Sequence, residues 1–168
     1  GKLKVLALFD KPDSLQGPYF EETLYVTPSR LPQDSQQRII QAVQEASEKI
    51  GISHGPLHAE VRLNEEGVWI LEVAARSIGG LCARSLLFER EMQQLSLEEL
   101  IIRQGLGEDI SKVSRVNTAS GVMMIPIPRE GFYEGVEGEE EARQATGIRE
   151  IRITAKTQQQ LVPLPEGA

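Results

Sequence analysis

Two glutamates on either side of a short turn are the residues of this sequence best suited to chemistry. Glu60 lies in a strand-like stretch, 57–63, and Glu72 lies in a second one, 68–75. Two such stretches joined by a turn predict a β-hairpin. Carboxylates that face each other across antiparallel strands repel, so a cation is expected between them. A hard divalent ion fits best, because Mg²⁺ is typically held by one or two carboxylates together with substrate phosphates.

The register of this hairpin depends on the loop 64–67. If the loop has three residues with Gly67 in the left-handed conformation, Asn64 pairs with Val68 and the two glutamates stand opposite each other. Alternation then predicts a core face made of Leu57, Ala59, Val61, Leu63, Trp69, Leu71, Val73 and Ala75. The opposite, polar face carries His58, Glu60, Arg62, Ile70, Glu72 and Ala74.

The hairpin alone leaves a second interpretation open. A basic residue such as Arg62 would also neutralise the carboxylate pair on an exposed face of the sheet. A structural ion pair and a metal site are therefore equally compatible with this part of the pattern.

An arginine and two glycines follow the second strand. Arg76 comes four residues after Glu72, and its guanidinium is suited to a two-point grip on a carboxylate or phosphate. Gly79 and Gly80 then lead into a helical pattern, and backbone N–H groups at such a turn favour anions. The ordered combination of these residues is more specific than any one of them.

The elements expected around this site are mixed. Apolar residues at helical spacing predict a helix from Asp34 to Ile50, and further helices are expected over 81–92 and from Ser96. The stretches 4–9, 19–26, 116–127 and 148–155 are strand-like, 137–146 is a short charged helix, and composition shifts near residue 112. We expect an α+β fold, with helices packed on an antiparallel sheet, followed by a small α+β C-terminal domain.

Composition excludes several classes of function. The chain has 168 residues and a net charge of -7, which disfavours binding to nucleic acid or to an anionic membrane surface. The single cysteine, Cys82, cannot form an internal disulfide, and the N-terminal stretch has no apolar signal core. A cytoplasmic location is therefore expected.

The hairpin resembles the metal-binding hairpin of the ATP-grasp superfamily, whose pattern is an H-x-E strand followed by an E-x-N-x-R strand. The matching residues are 58–60 and 72–76. More narrowly, 9–12, 17–23 and 73–80 are similar to the L-amino acid ligase branch, and 120–128 with 163–167 are similar to the domain that follows the ATP-grasp domain in those ligases.

The resemblance implies roles for these residues. Glu60 and Glu72 would bind the Mg²⁺ or Mn²⁺ ions that bridge the phosphates of ATP, and Arg76 would steady the reacting acyl phosphate. The substrates would be contacted by Ser77, Gly79, Gly80, His58 and Glu22. Each of the last two also has a plainer interpretation. His58 would be a strand histidine hydrogen-bonded to a neighbour, and Glu22 would lie at a solvated strand end. Ala74 stands where the superfamily usually has an Asn ligand, which leaves the number of metal ions open.

By the same resemblance, residues 1–112 would be the C-terminal portion of an ATP-grasp domain, and 113–168 would be a truncated small C-terminal domain. The ATP-binding lysines would lie upstream of residue 1, so we expect a fragment that is inactive in isolation. The intact enzyme would join a small-molecule carboxylate to an amino acid through an acyl phosphate. A homodimer is a possible assembly. The alternatives are an ATP-grasp carboxylase, a nucleotide-biosynthetic ligase, or a non-catalytic interaction module.

Overall fold

The structure is a computed structural model that describes residues 2–13 and 23–163. It forms two compact units. The first contains Leu24–Met123 with the N-terminal residues up to Asp13, and the second contains the described residues from Met124 onward together with Thr23. The assignment of 1–112 and 113–168 to the two expected domains stays a prediction.

Helices are interspersed with short antiparallel strands along the chain, which confirms the α+β class. The strands are β1 Leu24–Thr27, β2 His58–Leu63, β3 Val68–Ala74, β4 Leu87–Arg90, β5 Gln93–Ser96, β6 Ser114–Arg115, β7 Ser120–Met123, β8 Gly131–Phe132 and β9 Gln160–Leu161. The helices are α1 Gln33–Lys49, α2 Gly80–Ser85, α3 Leu97–Gly105 and α4 Glu139–Gln144.

The strands of the described residues form several small sheets rather than the single sheet that the sequence suggested. β1 pairs with β7, β2 with β3, and β8 with β9, while β4 lies between β5 and β6. Each pairing is antiparallel.

The β2–β3 hairpin has the expected pairing of Glu60 with Glu72, but it reaches that pairing by a different route. Asn64 exchanges two backbone hydrogen bonds with Gly67, not Val68, so the connection between them has two residues. Leu63 therefore pairs with Val68, one step away from the predicted register. A β-bulge between Glu60 and Val61 then restores the alignment, because two residues of β3 are opposed by one residue of β2 at that point.

The shorter turn changes the faces of the β3 residues that lie between the turn and the bulge. Trp69 pairs with Arg62 and Ile70 pairs with Val61, so Trp69 lies on the polar face and Ile70 on the apolar one. The prediction that Trp69 and Leu71 are buried is wrong: they are 52% and 60% exposed. The indole N–H of Trp69 donates to Asn64 Oδ1 at 3.1 Å, which holds the ring against the turn.

The main core lies under β4, β5 and α3. Its buried residues are Ala83, Leu86, Phe88, Leu95, Leu97, Leu100 and Val113. Of the predicted capping box at the start of α3, the N-cap bond is present: Ser96 Oγ accepts a hydrogen bond from the backbone N–H of Glu99 at 3.2 Å. The loop after α3 is tied to the N-terminal segment by Lys4, whose ammonium donates to the carbonyls of Ile110, Ser111 and Val113 at 2.6–3.0 Å.

Several predicted boundaries are wrong. The helix expected over 81–92 ends at Ser85, because the following residues enter β4 and supply Phe88 to the core. The stretches 4–9 and 148–155 form no strand, and the strand expected over 116–127 is confined to β7. An alternating or apolar sequence forms a strand only where a neighbouring strand accepts and donates its backbone hydrogen bonds. The helix predicted from Asp34 begins at Gln33, and Gly51 follows it with φ of 82°, as expected for a residue after the C-cap.

Candidate functional site

The carboxylates of Glu60 and Glu72 are side by side on the β2–β3 hairpin. Directly paired residues project from the same face of a sheet, so both side chains lie on the polar face. They remain accessible, with 27% and 52% of their side-chain areas exposed. This is the arrangement that the sequence predicted for the two glutamates.

Each carboxylate has a cationic neighbour. Lys11 Nζ lies 3.5 Å from Glu60 Oε2, and an Arg76 guanidinium nitrogen lies 3.7 Å from Glu72 Oε1. The like-charge repulsion across the hairpin is thus offset by two ion pairs that leave parts of both carboxylates open to solvent. The sequence left open that a basic residue neutralises the two glutamates. The basic residue suggested for this role was Arg62.

Lys11 is the residue that sequence reasoning missed. It follows Asp10, whose backbone exchanges two hydrogen bonds with Val26 at 2.8 and 2.9 Å and so holds the segment against β1. Its ammonium also lies 5.6 Å from the centre of the Tyr25 ring, a cation–π distance. The stretch Asp10-Lys11-Pro12 could have indicated this residue, because it is part of the family resemblance. No role was predicted for Lys11.

Arg76 lies just beyond the end of β3, on the side of Glu72. Besides its ion pair, its guanidinium donates to the backbone carbonyl of Ser77 at 3.2 Å. The side chain is 59% exposed, so it can turn toward a ligand without breaking a buried contact. Ser77 itself is half-buried at the start of the turn.

The glycine turn enters α2. Gly79 precedes the helix in an extended conformation, and Gly80 opens it with φ of 59°. A side chain at Gly80 would be strained by that φ, although the space around it is open. Both glycines are exposed, which leaves this turn accessible to a small molecule.

His58 and Glu22 are the two remaining candidate residues. His58 lies on the polar face of β2 opposite Ala74, and its Nδ1 is buried without a hydrogen-bond partner among the described residues. The plainer interpretation, a histidine bonded to a neighbour, is therefore not supported for that atom. Glu22 lies outside the described residues.

The donor set fits a hard divalent ion that shares its ligands with a substrate. Carboxylate oxygens are the ligands Mg²⁺ prefers, and Glu60 and Glu72 present them from adjacent positions. Within 2–13 and 23–163, no group of three or more His, Cys, Asp and Glu side chains could hold a metal alone. An ion at this pair would complete its coordination with water or with oxygens from a ligand such as a polyphosphate.

Comparison with known families decides what this hairpin belongs to. A model of the ATP-grasp domain matches residues 1–85, which contain Lys11, β2, β3 and the glycine turn. The chain belongs to the ATP-grasp domain family. The superfamily inferred from the hairpin motif is thereby confirmed.

Similar proteins place this ATP-grasp chain beside amino acid ligases. The alanine–anticapsin ligase of Bacillus subtilis is 32% identical over 104 residues, which cover 60% of this chain and 21% of that protein. The protein of the same name from Bacillus subtilis strain 168 is 30% identical over 105 residues, with the same coverage. The crystal structure of an L-amino acid ligase from Bacillus licheniformis matches with a TM-score of 0.80 and 25% identity.

That structural match covers 98% of this chain and 41% of the solved one. The chain therefore spans about a fifth of the length of the curated relatives and about two-fifths of the solved ligase. The predicted similarity to the L-amino acid ligase branch is confirmed by these matches. Among the described residues, no helix is both long and apolar enough to cross a membrane.

Proposed function

We propose that this chain is part of an ATP-dependent ligase that joins the carboxylate of one small molecule to the amine of an amino acid. The observation that carries the proposal is the direct pairing of Glu60 with Glu72, with Arg76 four residues beyond. The match to an L-amino acid ligase over nearly the whole chain supports it.

In the proposed reaction, the substrate carboxylate attacks the γ-phosphorus of ATP, and ADP leaves. The amine of the amino acid then attacks the acyl carbon, inorganic phosphate leaves with the C–O bond electrons, and the nitrogen loses a proton as the amide forms. Catalysis of this kind rests on positioning and on neutralising charge. Mg²⁺ or Mn²⁺ would supply that neutralisation at the phosphate oxygens when bound.

The residues of this chain would have different roles in the reaction. Glu60 and Glu72 would hold the metal, and Arg76 would contact the oxygens that carry charge during transfer. The half-buried Ser77 and the exposed Gly79 and Gly80, all close to Arg76 in sequence, would contact the carboxylate of a substrate.

His58 and Glu22 remain proposed substrate contacts. The unpartnered Nδ1 of His58 supports a polar ligand on this face of β2.

An ¹⁸O label tests whether the substrate carboxylate attacks the γ-phosphorus of ATP or forms a product with AMP. An amino acid labelled with ¹⁸O in its carboxyl group is incubated with ATP, Mg²⁺ and a second amino acid in the presence of the full-length protein. Attack on the γ-phosphorus sends one ¹⁸O into inorganic phosphate, which mass spectrometry detects. Label in AMP, or amide formation with no label in inorganic phosphate, would contradict the proposal.

A further inference from the structure

Lys11 has a defined position beside the proposed metal ligands. The backbone pairing of Asp10 with Val26 holds the segment that carries Lys11. The Lys11 ammonium lies near the Tyr25 ring and forms an ion pair with Glu60. Only 24% of its side-chain area is exposed, against 59% for Arg76. Lys11 is therefore the more firmly held of the two cations on the carboxylate pair.

A divalent ion bound to Glu60 would share that carboxylate with the ammonium of Lys11, which lies 3.5 Å from Oε2. Two cations held on one carboxylate repel each other. We propose that Lys11 is the resident counter-cation of Glu60, and that a divalent ion must displace it in order to bind. This inference rests on the metal site of the proposed function.

The displacement has a consequence for binding. The ion pair with Lys11 stabilises the metal-free protein and so lowers its affinity for a metal on its own. An anionic ligand that brings the metal with it, or adds oxygens to it, would then be needed for tight binding. Lys11 would act as a positioning residue that keeps Glu60 neutralised until both arrive.

The Lys11→Met variant tests this idea, because it keeps most of the apolar side chain and removes the charge. We expect the full-length protein to bind Mn²⁺, added without nucleotide, about three- to fivefold more tightly, as measured by electron paramagnetic resonance of free Mn²⁺. That factor is the upper end for removing a competing, partly exposed ion pair. Lys11→Arg, which keeps the charge, should not tighten binding.

Lys112→Met is the matched control, because Lys112 is exposed in the loop after α3 and its loss changes the net charge equally. It should leave Mn²⁺ affinity within about twofold, since the field of a distant surface charge is screened by salt. Equal tightening in both variants would overturn the inference, because it would trace the effect to net charge. Unchanged, weaker or undetectable Mn²⁺ binding in Lys11→Met would overturn it as well.

Glu60→Gln and Glu72→Gln separate this inference from the proposed function. If neither weakens Mn²⁺ binding, the metal site itself is wrong; if both do and Lys11→Met has no effect, only the role of Lys11 is wrong.

A second measurement uses the unmodified protein and does not depend on the folding of any variant. Lysines are acetylated briefly with and without Mg²⁺, and each site is quantified by mass spectrometry. Release from Glu60 should raise labelling of Lys11 at least twofold and leave Lys112 unchanged. Equal labelling of Lys11 in both conditions would contradict the displacement.

Discussion

Replacement of Arg76 distinguishes a residue that acts on the reaction from one that holds the hairpin together. Its ion pair with Glu72 spans 3.7 Å, and the two side chains are 59% and 52% exposed. Exposed pairs of this kind contribute about 0–1 kcal/mol to stability. Its hydrogen bond to the Ser77 carbonyl is also exposed, so water can replace it when the guanidinium is removed.

From these contacts, Arg76→Ala should lower the free energy of unfolding by at most about 1 kcal/mol. That change lowers Tm by about 2–4 °C in a domain of this chain's length, and by less in the longer full-length protein. Amide formation should fall at least about a hundredfold, the usual result of losing one donor that stabilises developing charge. Arg76→Lys should not restore the rate, because an ammonium cannot reproduce the planar two-point geometry.

The assay pairs thermal melting with coupled detection of ADP in the full-length protein. Arg38→Ala serves as the control, since Arg38 is exposed on α1 and its removal should change neither Tm nor rate. A fall in Tm of more than about 10 °C for Arg76→Ala, with Arg38→Ala unaffected, would refute the reasoning. Arg76 would then be a structural partner of Glu72, and the rate would be lost through unfolding.

Two further predictions concern stability. Ser96→Ala should destabilise the protein by about 1 kcal/mol through loss of the cap on α3, read as a lower denaturant midpoint at constant m-value; a change of m would contradict a purely local effect. Lys4→Met should cost about 1–2 kcal/mol because three carbonyls lose a charged donor, whereas Lys2→Met, at an exposed neighbouring lysine, should be neutral. Equal melting temperatures for the two lysine variants would mean that water replaces the Lys4 contacts fully.

The sequence predicted those parts of the fold that depend on short-range patterns. Helix α1 and the N-cap at Ser96 follow from side-chain spacing and local hydrogen bonding, and both are present. The hairpin pairing of Glu60 with Glu72 is also present, but two departures from the expected geometry cancel to produce it. The turn is one residue shorter than expected, and the bulge at Glu60/Val61 compensates for it.

Alternation reveals neither the shorter turn nor the bulge, which together change the environment of the β3 residues from the turn to Leu71. That is why Trp69 and Leu71 were wrongly predicted to be buried. The role of Lys11 beside Glu60 could not be predicted either, since it depends on contacts between segments about fifty residues apart, and charge alone does not select one lysine from the chain. The helix predicted over 81–92 failed because packing of Phe88 in the core outweighed local helical spacing.

The central claim is that Glu60 and Glu72 together bind a divalent ion in the presence of ATP. The most direct test is a crystal of the full-length protein grown with Mn²⁺ and a non-hydrolysable ATP analogue, with anomalous data collected to locate the metal. The account predicts a peak about 2.0–2.4 Å from at least one carboxylate oxygen of each glutamate, the range for hard cations on oxygen ligands. A peak bound by the nucleotide but distant from both glutamates, with Lys11 and Arg76 still paired to them, would contradict it.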